Sequence, residues 1–181
     1  MLALLAGCAG AGTGGGSAVA NPGYVSGDGT VTQWEPANRG EPVELAGPTY
    51  QGESVDVASW RGDVVVVNFW YAACPPCRVE APELAALAAD YADSGVRVLG
   101  VNSTDDAGAA LAFERTFDIR YPSIDDAQGR GVSAMQGAVP LRAVPTTVVL
   151  DAEGRIAARV LGRAEGSTLR ALVDDTLETA G

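Results

Sequence analysis

Val64-Val65-Val66-Val67-Asn68-Phe69-Trp70-Tyr71-Ala72-Ala73-Cys74-Pro75-Pro76-Cys77-Arg78-Val79-Glu80-Ala81-Pro82 is the stretch on which the fold turns. From Asp63 to Tyr71 it is β-branched and aromatic, the composition of a buried strand. From Arg78 to Leu87 it is rich in good helix formers. The cysteines stand at the junction, two residues apart, where two thiols can close and open a small ring. That layout is one for redox chemistry.

Outward from this centre the chain alternates. The helix after the cysteines is expected to run to about Ser94 and stop at Gly95, and Val96–Val101 is the next strand. Thr104 or Asp105 is expected to cap a helix through Leu111, Phe113 and Phe117. Tyr121–Met135 reads as irregular, with a short strand at Ser123-Ile124 and a helical turn near Val132. Thr146–Leu150 and Ile156–Leu161 are strands joined by the turn Asp151–Arg155, hence antiparallel neighbours. Ser167 is expected to cap a last helix to about Glu178. Upstream, Val43-Glu44-Leu45 and Ser54–Val57 form an expected hairpin, and Val57–Trp60 one helical turn. This order predicts an α/β fold, a mixed central sheet flanked by helices with an N-terminal β-hairpin extension. A Cys-x-x-Cys on its first strand-to-helix turn is the thioredoxin-like pattern.

Composition narrows the function. The chain has 181 residues and a formal net charge of −11, which argues against nucleic acid and against electrostatic attachment to anionic lipid. It has no histidine, which excludes a Ser-His-Asp triad, a Cys-His protease pair and imidazole metal sites. One cysteine pair cannot fill a structural zinc site alone, so neither metal nor cofactor is expected.

The third cysteine lies in Leu5-Ala6-Gly7-Cys8, which resembles the lipobox of bacterial lipoprotein precursors. Seven residues without a basic region precede it, which a start further upstream would explain. The expected organisation is a truncated lipoprotein leader over 1–8 with lipidation at Cys8, a flexible Gly/Ser-rich linker over 9–29, and a thioredoxin-like domain over 30–181.

At the helix N-terminus the aligned peptide dipoles favour a Cys74 thiolate. Pro75 and Pro76 are tolerated there but remove two donors, leaving the Cys77 amide to hydrogen-bond the Cys74 sulfur. Cys77, one turn into the helix, is expected to be the shielded resolving thiol. Pro82 cannot donate to the Arg78 carbonyl, so a kink or a restart is expected there. Glu80 alone reads as a carboxylate near the surface of that helix.

Asn68 through Pro82, together with Val144-Pro145-Thr146, resembles the active-site signature of the TlpA/ResA-like family of membrane-tethered thiol-disulfide oxidoreductases, here of actinobacterial lipoprotein type. The similarity covers roughly 40–180. It implies that Cys74 is the nucleophile, Cys77 the resolving cysteine and Pro145 a cis-proline facing the disulfide. Val144 would then offer backbone to a substrate segment, and Glu80 would tune the thiols or relay a proton. It implies protein disulfides as substrates, apocytochrome c among them, electrons from a CcdA/DsbD-like membrane thiol donor, and a lipid-anchored place on the extracytoplasmic face of the cell membrane.

Two departures stand out: Ala73 replaces a frequent tryptophan, and Asn68 stands where thioredoxin has a buried acid. A disulfide-forming oxidase is the alternative direction of the same chemistry. A peroxiredoxin is disfavoured by Tyr71, three residues before Cys74, where Thr or Ser is required. A copper-delivery lipoprotein is disfavoured by the absence of histidine.

Overall fold

The valine run from Val64 lies inside a seven-stranded sheet, buried on both faces. A computed structural model of the protein describes residues 23–28, 30–135, 137 and 143–179. In chain order these form β1 (Tyr24–Val25), β2 (Val31–Gln33), β3 (Ala46–Pro48), β4 (Ser54–Asp56), β5 (Val64–Phe69), α1 (Pro75–Asp90), β6 (Val96–Asn102), α2 (Ala107–Thr116), β7 (Ser123–Asp125), α3 (Arg130–Ala134), β8 (Thr146–Leu150), β9 (Ile156–Leu161) and α4 (Gly166–Glu178). The sheet order is β1-β2-β9-β8-β5-β6-β7, with β3 and β4 a separate hairpin. β5 and β7 each run parallel to β6, and β8 is antiparallel to both β5 and β9. Cys8 and the expected leader lie outside the described residues. Among the described residues, no helix is long and apolar enough to cross a membrane.

The pleat of β5 sorts its side chains into two cores. Val65, Val67 and Phe69 pack with Leu99, Val148 and the N-terminal residues Trp34 and Leu45. Val64 and Val66 pack against Leu84 and Leu87 of α1 and Leu169 and Val173 of α4. A strand covered on both faces reads as an unbroken apolar run, as this one does.

Several boundaries differ from the sequence expectations. The hairpin pairs Ala46–Pro48, and not Val43–Leu45, with β4. Val43 and Leu45 are drawn into the core, and the Val43 amide donates to the Gly154 carbonyl. The hairpin docks on the sheet edge through a bridge between Thr49 and Ile124. β1 falls within the stretch expected to be linker. α1 runs unbroken past Pro82 but ends at Asp90, because Tyr91–Gly95 turns the chain back, with Gly95 at φ +69°, and the Gly95 carbonyl accepts from the Val64 amide. Asp106 caps α2, since Asp105 is engaged elsewhere. α4 starts at Gly166, where the Glu83 carboxylate lies against the glycine, and Ser167 is inside the helix.

Gly100 in β6 is closely covered by Ser123 and Trp70. A Cβ there would run into Ser123 Oγ and come 2.7 Å from Trp70 Nε1. Gly100→Ala is therefore expected to lower stability by about 1–3 kcal/mol through overpacking. A denaturant midpoint equal to wild type would show that the Trp70 indole is free to move aside.

Candidate active site

β5 ends at Phe69, and Trp70–Ala73 deliver Cys74 to the position just before α1. Cys74 has extended backbone (φ −71°, ψ 112°) and is the N-cap of α1, a place usually held by Ser, Thr, Asp or Asn. Its sulfur accepts a hydrogen bond from the Cys77 amide at 3.2 Å. Pro75 and Pro76 fill the first two helical positions, so no other amide in that ring can donate. The two sulfurs are joined in a disulfide, with the Cα atoms 5.3 Å apart.

The turn is pinned from outside. Asp105, at the end of the β6–α2 connection, accepts from the Ala72 amide at 2.6 Å and from Asn102 Nδ2 at 2.8 Å. Trp70 stacks on Phe113 of α2, with ring centroids 4.4 Å apart, and Phe113 meets Phe117 at 4.7 Å. The sequence offers Asp105 only as a helix cap and places Phe113 and Phe117 on α2, but nothing in it sets them against Trp70.

Both sulfurs of the disulfide are enclosed, not Cys77 alone. Cys74 and Cys77 are both 1% exposed, packed with Trp70, Ala81, Ala110 and Phe113. Exposure therefore does not distinguish the two sulfurs. What distinguishes them is the hydrogen bond and the helix terminus, both of which act on Cys74.

Glu80 departs further from expectation. It is 1% exposed, not a surface carboxylate. Asn68 Nδ2 donates to its Oε1 at 2.8 Å, and the Ala164 amide donates to its Oε2 at 3.0 Å. Asn68 Nδ2 also reaches Thr147 Oγ1 at 3.1 Å. Burial pushes the Glu80 carboxyl up to about 7, against the opposing pull of the Ala164 and Asn68 hydrogen bonds and the Arg163 charge. Asn68 and Thr147 both contain donor and acceptor atoms, so turning the Asn68 amide lets the site receive either the carboxylate or the protonated acid. Glu80 lies three residues after Cys77, on the same side of α1.

The Val144–Pro145 peptide bond is cis. Thr146 pairs with Phe69, so Pro145 stands at the end of the sheet from which the cysteine turn departs. Pro145 is buried and Val144 is 37% exposed. Among the described residues, no cluster of His, Cys, Asp and Glu could hold a metal ion.

Comparison with known proteins agrees with this geometry. A model of the AhpC/TSA family matches residues 40–159. The thiol-disulfide oxidoreductase ResA of Halalkalibacterium halodurans is 29% identical over 106 residues, 59% of this chain and 58% of its own. The thiol:disulfide interchange protein HelX of Rhodobacter capsulatus is 31% identical over 142 residues, covering 78% of this chain and 74% of its own. A DsbF homologue from Corynebacterium diphtheriae superposes with a TM-score of 0.73 at 28% identity, covering 86% of this chain and 99% of its own. The match thus spans less than two thirds of that ResA and considerably more of the other two.

The Glu80 environment sets a pH dependence opposite in sign to that of a salt-bridged carboxylate. The folded state holds the Glu80 proton up to about pH 7, whereas the unfolded chain loses it near the ordinary glutamate value. Its contribution to stability is therefore fully present below that ordinary value and is lost as pH rises through about 7. Glu80→Gln should remove this dependence. The stability difference between variant and wild type should move in the variant's favour by about 1–3 kcal/mol from pH 4 to pH 8. A difference constant with pH would show that Glu80 is ionised throughout.

Proposed function

The chain belongs to the AhpC/TSA family, with ResA and HelX among its relatives, and we propose that it is an extracytoplasmic thiol-disulfide oxidoreductase acting on disulfides of other proteins. One observation carries this reading. The Cys74 sulfur is itself the cap of α1, so the atom that would attack a disulfide sits where a helix best stabilises negative charge.

In the reduced protein the Cys74 thiolate attacks one sulfur of a substrate disulfide. That S–S bond breaks, and its other sulfur leaves as a thiolate and takes up a proton. Cys77 loses its proton and attacks the Cys74 sulfur, which frees the second substrate thiol and closes the Cys74–Cys77 ring. Two electrons have passed to the substrate, and an external dithiol must reopen the ring. Glu80, poised near neutrality one turn beyond Cys77, takes up the Cys77 proton. Val144 and Pro145 offer the chain edge along which an extended substrate segment lies, a role supported by the exposure of Val144 beside the cysteine turn.

The task we assign is reduction of protein disulfides, apocytochrome c among them, with electrons from a CcdA/DsbD-like membrane thiol donor. The support is the signature from Asn68 to Pro82 and the similarity to ResA and HelX. Residues 30–181 are the working domain, 9–29 a tether into which β1 extends the sheet, and Cys8 the lipid-bearing residue at the outer face of the membrane. The Leu5-Ala6-Gly7-Cys8 sequence supports that anchor. Peroxidase chemistry is disfavoured by Tyr71, which lacks the aliphatic hydroxyl needed at that position.

Trapping experiments separate the two cysteines. Cys77→Ser should accumulate a mixed disulfide with substrate and Cys74→Ser should form none, as read by non-reducing electrophoresis. In the reduced wild type, an alkylating agent should modify Cys74 first. Equal labelling, or trapping by the Cys74→Ser variant, would contradict the assigned roles.

A further inference from the structure

Arg78 follows Cys77 directly and is exposed. Its guanidinium lies 5.1 Å from the Phe117 ring centroid and 6.0 Å from that of Phe113, and its Nη1 donates to the Ala72 carbonyl at 3.2 Å. Two ring faces and a backbone oxygen thus fix the cation at the edge of the cysteine turn. Among the described residues it has no carboxylate partner, whereas Arg39, Arg97, Arg120, Arg155, Arg163 and Arg170 all form ion pairs. Arg61, Arg115 and Arg130 likewise form no ion pair among the described residues; Arg78 differs from them in standing directly after Cys77, held over two rings.

Two acidic side chains of the β6–α2 connection are engaged by other donors. Asp105 is held by the Ala72 amide and Asn102, and Asp106 by the Ala109 amide at the α2 cap. Val79, next along α1, is 57% exposed, and Val144, at the cis peptide bond, is 37% exposed. Among the described residues, a substrate segment passing Val79 and Val144 therefore meets apolar contacts and, at Arg78, a preorganised positive charge.

We infer that Arg78 determines substrate choice by pairing with a carboxylate on a residue flanking the substrate cysteine, so that the protein prefers extended segments with Asp or Glu beside the disulfide. This rests on the thiol-exchange reading above. Arg78 touches neither sulfur, and its effect falls on substrate association, and hence on kcat/KM, more than on the exchange step itself.

The test uses pre-reduced protein in single turnovers against two synthetic peptides, each closed by an internal disulfide and differing only by Glu or Lys beside the first cysteine. Wild type should prefer the Glu peptide by about two- to fivefold in second-order rate, the range an exposed ion pair supplies. Arg78→Gln should bring the ratio near one while still reducing both peptides, and Arg78→Glu should invert it. Raising ionic strength from about 0.02 to about 0.5 M should erase the wild-type preference. A ratio identical in all three proteins, with both peptides reduced, would overturn the role of Arg78 alone. Failure of wild type to reduce either peptide would overturn this inference together with the exchange reading beneath it.

Discussion

The hydrogen bond from the Cys77 amide to the Cys74 sulfur is the constraint around which the rest of the site is arranged. An N-cap ordinarily supplies an oxygen to the unsatisfied amides of a first helical turn. Here sulfur takes that place, and the two prolines leave the Cys77 amide as the one donor within the ring. A weak acceptor as a neutral thiol, sulfur becomes a good one as a thiolate, so the same bond favours the charged, attacking form. The elements around it hold that geometry. β5 sets the exit point, Asp105 fixes Ala72 in the turn, and the Trp70–Phe113 stack closes the apolar side.

Burial has contrasting effects on the two functional groups. For the disulfide, which is uncharged, enclosure by apolar neighbours costs little and restricts which partners reach the sulfurs. For Glu80, enclosure penalises the charge, and only partial compensation comes from Asn68 and Ala164. Two donors to a carboxylate would usually hold it well below neutrality, yet here the loss of solvation outweighs them. The result is a carboxyl poised to change protonation near neutrality, one turn from Cys77, the resolving cysteine of the proposed mechanism. Asn68 thereby gains a purpose. Where thioredoxin has an acid, this chain has an amide that accommodates both states of a second acid.

Much of this was legible in the sequence because the local signals agreed with the tertiary fold. β8 and β9 run over the residues that the alternating apolar pattern and the turn at Asp151–Arg155 indicate. The mixed sheet, the hairpin extension and the Cys77 amide bond were likewise readable. What was not readable depended on contacts remote in the chain. The hairpin shifted because Val43 and Leu45 were needed in the core. Asp105 served the Ala72 amide 33 positions away and not its own helix. Glu80 looks like a surface residue in any helical pattern until Ala164, 84 positions on, closes over it. The equal burial of the cysteines was hidden for the same reason, since Phe113 and Ala110 belong to α2.

The central claim is that the α1 terminus acts on one sulfur and not on both. Ultraviolet thiolate absorbance of the fully reduced protein, followed from pH 4 to pH 11, tests it most directly. Two separated steps are expected, the first below the free-cysteine value of about 8.5 and assigned to Cys74 by its loss in Cys74→Ser, the second above it. A single step for both thiols at or above about 8.5 would contradict the claim.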